Sequence, residues 1–299
     1  MINATYKYWI WFSRIVGLSC AQKERLLKEF QSPEKIWGLD SKTLQQIEWL
    51  NYAEIKEIVS ENYRKDLASY QQYIDTNKIK LITMFDDDYP ETLKNIYDKP
   101  VILYAKGNVE LLKKPGIAIV GSRSCSEYGK NVALKLAYDL AKHNITIISG
   151  LARGIDTYSH IGAVNAMGNT IAVIGNGLDR IYPYENRGLY ERILQNNGLI
   201  ITEYIMGTKP DRMNFPARNR IISALSDGVI VVEARKKSGA LITADFALEQ
   251  GKEIYAVPGN INSPNSQGTN ELIKQGAYPI TCMEDILMYW QNSTKYNKN

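Results

Sequence analysis

The residues best suited to chemistry in this chain are arginines set beside small residues. They recur as Gly121-Ser122-Arg123-Ser124, as Ser149-Gly150 followed by Arg153-Gly154, and as Gly175-Asn176-Gly177. Lys209, Arg212, Phe215, Arg218 and Arg220 follow, and then the run Arg235-Lys236-Lys237-Ser238-Gly239. Glycine and serine let a ligand approach the backbone, and a Gly-Ser turn ahead of a helix offers N–H groups and a positive helix end to phosphate. Arginine adds forked, charge-assisted hydrogen bonds. The coincidence of Arg123, Arg153, Arg212 and Arg218 with these turns predicts an anion-binding edge. Phe215, Tyr182 and Tyr184 fall in the intervening loops, where a nucleic-acid base would need a ring to stack on; ordinary loop packing is the alternative for each tyrosine.

Other chemistry finds little support. GSRSCSEYG stands where a dinucleotide fingerprint G-x-G-x-x-G would be needed, and no Walker A sequence is present. The two histidines, His143 and His160, show no metal-ligand spacing, and no nucleophile elbow occurs. Asp156 reads as the N-cap of a helix. Glu203 and Glu233 end two apolar runs and could form a carboxylate pair of the kind glycosidic hydrolysis requires, or could hold nearby arginines in place. Asp86, Asp87 and Asp88 suggest an exposed turn before Tyr89 and Pro90 more than a hard-metal site. No catalytic residue, metal or cofactor is expected.

Charge distribution agrees with the anion-binding edge. The chain has 299 residues and a net charge of +4. Residues 117–240 carry 15 Lys and Arg against 10 Asp and Glu, so the excess lies in the segment that holds the arginine–glycine turns. Three separated cysteines, Cys20, Cys125 and Cys282, imply neither a disulfide framework nor a zinc site, which fits a reducing cytoplasm. The start MINATYKYWIWF lacks the features of a signal peptide, and no apolar run is long enough to span a membrane.

The elements that must position these residues follow from periodicity. Ile- and Val-rich runs recur at 116–121, 145–150, 170–175, 198–203, 228–233 and 253–259. They lack polar alternation, as strands buried on both faces do. Helix-length segments lie between most of them; in the first, Val132, Leu136 and Leu140 share a face. This alternation predicts an α/β, Rossmann-like doubly wound, mainly parallel sheet, with ligands beyond the carboxyl ends of the strands. Residues 1–75 are predicted as a small helical domain, with Ser19 capping the helix of Leu26, Leu27 and Phe30. Further helices are expected over SKTLQQIEWL and AEIKEIVSENYRKDLASYQQYI. Residues 76–115 bridge into the sheet through strands at IKLITMF and VILYAKG. Residues 116–288 form the Rossmann-like domain, and 289–299 are a polar tail.

Several long motifs occur in a recognisable order: DDDYPETLKNIYDKPVILYAKGN, GIAIVGSRSCSEYG, SGLARGIDTYSH, FPARNRIISALSDGVIVVEA, SGALITADFALEQGKEIYAVPGN and SQGTNELIKQGA. Over residues 80–285 the chain resembles the DprA (Smf) family of DNA-processing proteins. The resemblance implies a non-enzymatic, homodimeric binder of single-stranded DNA that protects incoming strands and loads the RecA recombinase during natural transformation. It implies a phosphate pocket at Gly121, Ser122 and Arg123 and a DNA-contacting loop at Arg212, Phe215, Arg218 and Asn219. Ser238 and Gly239 would form a further loop beside the pocket; Arg153 and Lys209 complete the candidate set. The helical N-terminus resembles a sterile-alpha-motif-like or helix-hairpin-helix-like domain. The winged-helix domain with which many members end is expected to be absent. Two other readings stay open, a phosphoribohydrolase-type enzyme on the same edge and a module that senses a small nucleotide and recruits a partner.

Overall fold

A computed structural model describes residues 6–288. The first six helices are α1 (Tyr6–Arg14), α2 (Cys20–Phe30), α3 (Pro33–Trp37), α4 (Ser41–Leu44), α5 (Tyr52–Ile58) and α6 (Leu67–Thr76). Ser19 caps α2 as expected, in a reciprocal arrangement with Gln22. The two longer helices predicted here are interrupted. After Leu44 the chain makes successive tight turns, Ile47 N–H to Leu44 and Leu50 N–H to Ile47. That spacing buries Leu44, Ile47 and Leu50 together without a helix. Between α5 and α6 the chain reverses through Asp66 at φ 59°. The Arg14 guanidinium collects the carbonyls of Asn62, Tyr63 and Lys65, which the break leaves without helical partners.

The bridge holds β1 (Lys80–Thr83), α7 (Glu91–Lys94) and β2 (Ile102–Gly107). Its acidic triplet is a turn. Asp86 accepts the Thr83 N–H, and Asp88 is clasped by Lys80 and Lys113, which hold its carboxyl down at about 2. Among the described residues no cluster of three metal-ligating side chains exists.

The remaining strands and helices alternate: β3 (Gly116–Val120), α8 (Glu127–Lys142), β4 (Thr146–Ser149), α9 (Ile155–Asn165), β5 (Thr170–Val173), α10 (Arg187–Gln195), β6 (Leu199–Thr202), α11 (Asn214–Ala224), β7 (Gly228–Val231), α12 (Gly239–Glu249), β8 (Glu253–Ala256), α13 (Gln267–Lys274) and β9 (Tyr278–Pro279). They build one sheet in the order β1-β2-β6-β5-β4-β3-β7-β8-β9. Pairing is parallel from β6 to β9, and antiparallel where β1 and β2 extend the β6 edge.

Side-chain alternation sends one face of the sheet to each helical layer. Ile117 and Ile119 pack with residues of α8 and α9, whereas Ala118 and Val120 pack with Ile221 and Ile222 of α11 and Ala244 of α12. The N-terminal helices join the first of these faces, sharing an apolar cluster with Ile102, Ala172, Ile200 and Ile193. Among the described residues no helix is long and apolar enough to cross a membrane.

Candidate nucleic-acid interface

The chain leaves β3 toward β4 on one side, while β7 enters on the other. Loops that follow β3 and β7 therefore diverge and open a crevice, the position where doubly wound sheets take ligands. A cavity of about 400 Å³ lies there. Of the residues the sequence singled out, Gly121, Ser122, Arg123, Phe215, Arg218, Asn219, Ser238 and Gly239 all line it. Arg153 lines a smaller adjoining cleft of about 30 Å³, which shares Arg123, Phe215 and Arg218 with the first. Lys209 and Arg212 line neither; they are exposed between β6 and α11.

Each lining residue is held differently. Gly121 gives close packing: an added Cβ would lie 2.5 Å from Ile155 and 3.0 Å from the Glu233 carbonyl. The Ser122 N–H donates to that same carbonyl at 2.8 Å, continuing the β3–β7 ladder. It is thus spent on the sheet, and because Ser122 Oγ accepts the Ser124 N–H at 3.2 Å, what Ser122 keeps for a ligand is its hydroxyl proton. Gly239 differs, since nothing lies within 4 Å of the place its Cβ would occupy. It opens α12, whose cap Ser238 accepts the Ala240 N–H, so the positive end of an eleven-residue helix faces the cavity. Replacing Gly239 by Val is accordingly expected to change stability by no more than about 1 kcal/mol. Oligonucleotide affinity should fall several-fold, as read by thermal melting and anisotropy. Unchanged affinity would place the ligand elsewhere.

Arg218 forms the floor. It is 3% exposed and donates through Nη1 to the carbonyls of Gly150 and Val173, at the ends of β4 and β5. Burial pushes its guanidinium down to about 10, against the pull of Asp156. Its Nε has no hydrogen-bond partner. Asp156 is not the N-cap of α9; that place is taken by Gly154 at φ 73°, where a Cβ would come within 2.2 Å of the Ser122 carbonyl. The Asp156 carboxylate instead accepts the N–H groups of Gly150 and Ala152, and burial raises it above the usual carboxylate range. Asn219 donates to the Gly239 carbonyl at 3.2 Å, tying α11 to α12.

The aromatic residues form a stack. Tyr182 lies on Phe215 with ring centroids 5.5 Å apart and planes at 23°. The Arg123 guanidinium lies over the Phe215 ring at 5.2 Å, and a Cβ on Gly175 would meet the same ring at 3.0 Å. Phe215 divides the two cavities and already touches a neighbour on several sides.

Three further groups separate from the site. Arg220 points away from it and binds Glu203 through both terminal nitrogens, at 2.6 and 2.7 Å. Glu233 accepts the Ser126 N–H and hydroxyl and the Asn265 amide, capping α8. Glu203 follows β6 and Glu233 follows β7, so four strand spacings part them, on the order of 19 Å. A glycosidase pair stands about 5–10 Å apart. His160 is wholly buried behind the site, with Nδ1 2.7 Å from the Thr170 hydroxyl. That hydroxyl gives its proton to the Ile147 carbonyl, so Nδ1 is the donor. Burial first, then Arg218, holds its pKa at about 3. The unfolded chain takes up this proton near pH 6.5 while the folded chain does not, so stability is full above that pH and falls as pH drops toward 3. The slope from this group reaches about 1.4 kcal/mol per pH unit. Denaturant midpoints measured against pH should show that slope reduced in His160→Gln; equal slopes would remove His160 as its source.

Arg235 and Lys237 also line the cavity. The basic run after the fifth apolar stretch was visible in the sequence, but nothing in its spacing told which members turn inward. Thr243, one turn inside α12, gave no signal at all.

Over residues 80–291 the sequence matches the family described as DNA recombination-mediator protein A. It is 46% identical over 210 residues to the DNA processing protein DprA of Streptococcus pneumoniae, covering 70% of this chain and 74% of that protein. The crystal structure of the pneumococcal protein superposes with a TM-score of 0.81 at 38% identity, covering 94% of this chain and 97% of that one. The structure of DNA processing protein A from Helicobacter pylori, a study of its single-stranded DNA binding mode, gives 0.65 at 33% identity over 73% and 98% of the two chains.

Proposed function

The chain belongs to the DNA recombination-mediator protein A family, and from that premise we propose that it binds single-stranded DNA in the crevice between β3 and β7 as a DNA-processing protein of natural transformation. The observation that carries this reading is the convergence of Arg123, Arg235, Lys237 and the N-terminus of α12 on one open cavity. Three cations and a positive helix end around about 400 Å³ of space suit a phosphate of a flexible strand. The exposed Lys209 and Arg212, on the loop before α11, would guide the strand from outside. The single-stranded DNA binding of the H. pylori relative supports the same ligand here.

No hydrolytic step is part of this reading, because Glu203 and Glu233 are each engaged and far apart. Homodimerisation and the loading of RecA recombinase onto the bound strand complete it; the family description as a recombination mediator supports the second.

Anisotropy of a labelled single-stranded oligonucleotide, titrated at several salt concentrations, tests the ligand. Binding should weaken steadily with salt, and duplex DNA should compete poorly. Absence of binding at low salt would sink the reading, and stabilisation by a mononucleotide alone would favour a nucleotide-sensing module. The recombinase step predicts faster RecA filament nucleation on strands bound by this protein, and an unchanged rate would remove it.

A further inference from the structure

We propose that Tyr182 and Arg153 form a second nucleotide subsite beside the main cavity, with Glu185 as a competitor for the incoming phosphate. This rests on the single-stranded DNA reading and adds to it a place for a neighbouring nucleotide.

The argument begins with Phe215. Its ring is occupied by Tyr182, approached by the Arg123 guanidinium, and set against Gly175. Phe215 is half-buried, and the more exposed ring of this group is that of Tyr182, which is 41% exposed. A base laid on Tyr182 would extend a stack that already runs through Phe215 to Arg123, and base–aromatic stacking tolerates any sequence. Arg153 lines the same cleft as Tyr182. Its guanidinium is exposed and bound through Nε and Nη2 to Glu185, at 3.1 and 2.6 Å. An exposed ion pair of this kind is worth little, so a phosphate can take the arginine from the carboxylate. Glu185 is then both a holder of Arg153 when the cleft is empty and a repulsive charge when the strand arrives.

Three variants of the full chain test this, all by oligonucleotide anisotropy across a salt series. Tyr182→Ala should weaken binding about thirtyfold, the middle of the range for a lost base stack. Glu185→Gln should strengthen binding several-fold, an outcome that a purely structural contact would not produce. Tyr182→Trp should bind and show fluorescence quenching by DNA beyond that of the wild-type chain, since a stacked base quenches an indole directly. If wild type binds while Tyr182→Ala and Glu185→Gln match it, the subsite is wrong and the main cavity stands. If Tyr182→Ala weakens binding but Tyr182→Trp is not quenched, Tyr182 is only a prop for Phe215 and the stacking proposal falls. If wild type itself does not bind, the parent reading fails first.

Discussion

Replacing Arg123 by Ala is expected to weaken single-stranded DNA binding by about ten- to a hundredfold. Loss of a charge-assisted hydrogen bond costs about 1.5–3 kcal/mol, and each 1.4 kcal/mol is about tenfold in affinity. Arg123 is the lining cation with the most to lose: it borders both cavities and lies over the Phe215 ring, whereas Arg218, which borders both too, is spent on the Gly150 and Val173 carbonyls. The slope of log affinity against log salt should also become shallower by about 0.7, the value for one phosphate contact on a single strand. Arg123→Lys separates charge from shape. It should keep the wild-type slope while losing affinity, because an ammonium supplies the charge without the planar fork. An Arg123→Ala protein with wild-type affinity and slope would take Arg123 out of the site. Since Arg123 is exposed and makes no hydrogen bond to the fold among the described residues, stability should hardly change, and melting curves can confirm that the loss is one of binding.

The second large effect is on stability. Arg220→Ala should destabilise the chain by about 3–5 kcal/mol, the cost of leaving the buried Glu203 charge without its partner, and Glu203→Ala should cost less, because Arg220 keeps Asp98. The pair is nearly sealed, with side chains 7% and 11% exposed. Arg220 keeps more without Glu203 than Glu203 keeps without Arg220: it also donates to the Asp98 and Ala217 carbonyls and lies 3.6 Å from the Asp98 carboxylate, whereas among the described residues Glu203 accepts a hydrogen bond, besides those from Arg220, only from the Cys20 thiol. Burial opposes the Arg220 charge, yet the Glu203 carboxylate outweighs it and raises the guanidinium above its ordinary value. The same surroundings push the Cys20 thiol up to about 12, by burial first and Glu203 second. Urea unfolding of the single variants and of Arg220→Met with Glu203→Leu measures the coupling. The double variant should recover most of the loss, since both charges leave together. Single variants within 1 kcal/mol of wild type would mean that the pair contributes no such penalty. Because α11 carries Phe215, Arg218 and Asn219 as well as Arg220, this anchor also sets the angle at which those three residues meet the cavity.

The Rossmann-like sheet, and the edge of it on which the candidate residues gather, were legible in the sequence because both depend on local pattern. Runs such as GIAIV bury every side chain, and a doubly covered strand can show no polar alternation. Glycine and arginine at the ends of such runs then mark the ligand edge before any coordinate is known. That is why Arg123, Phe215, Ser238 and Gly239, more than a hundred residues apart at the extremes, were placed on one edge and meet in one cavity. Helix interruptions in the N-terminal region were not legible. The one between α5 and α6 is sustained by a remote arginine, Arg14, that gathers the carbonyls of residues 62, 63 and 65, and the one after Leu44 by tight turns that bury Ile47 and Leu50.

Only the tertiary structure decided what each polar residue faces. Arg218 and Arg220 stand two apart in one helix, about 200° round its axis, and so one forms the floor of the cavity while the other is locked to Glu203 behind it. The Gly-Ser turn predicts a Ser122 N–H free for phosphate, but β7 takes it through the Glu233 carbonyl. Asp156 reads as a helix cap along the sequence, but the turn at Gly154 moves it inward beneath the cavity. Strand and helix follow from the period of side chains along the chain, which the sequence carries by itself. Partners of a charge or an N–H group follow from strand order and helix rotation, which exist only once distant segments have packed.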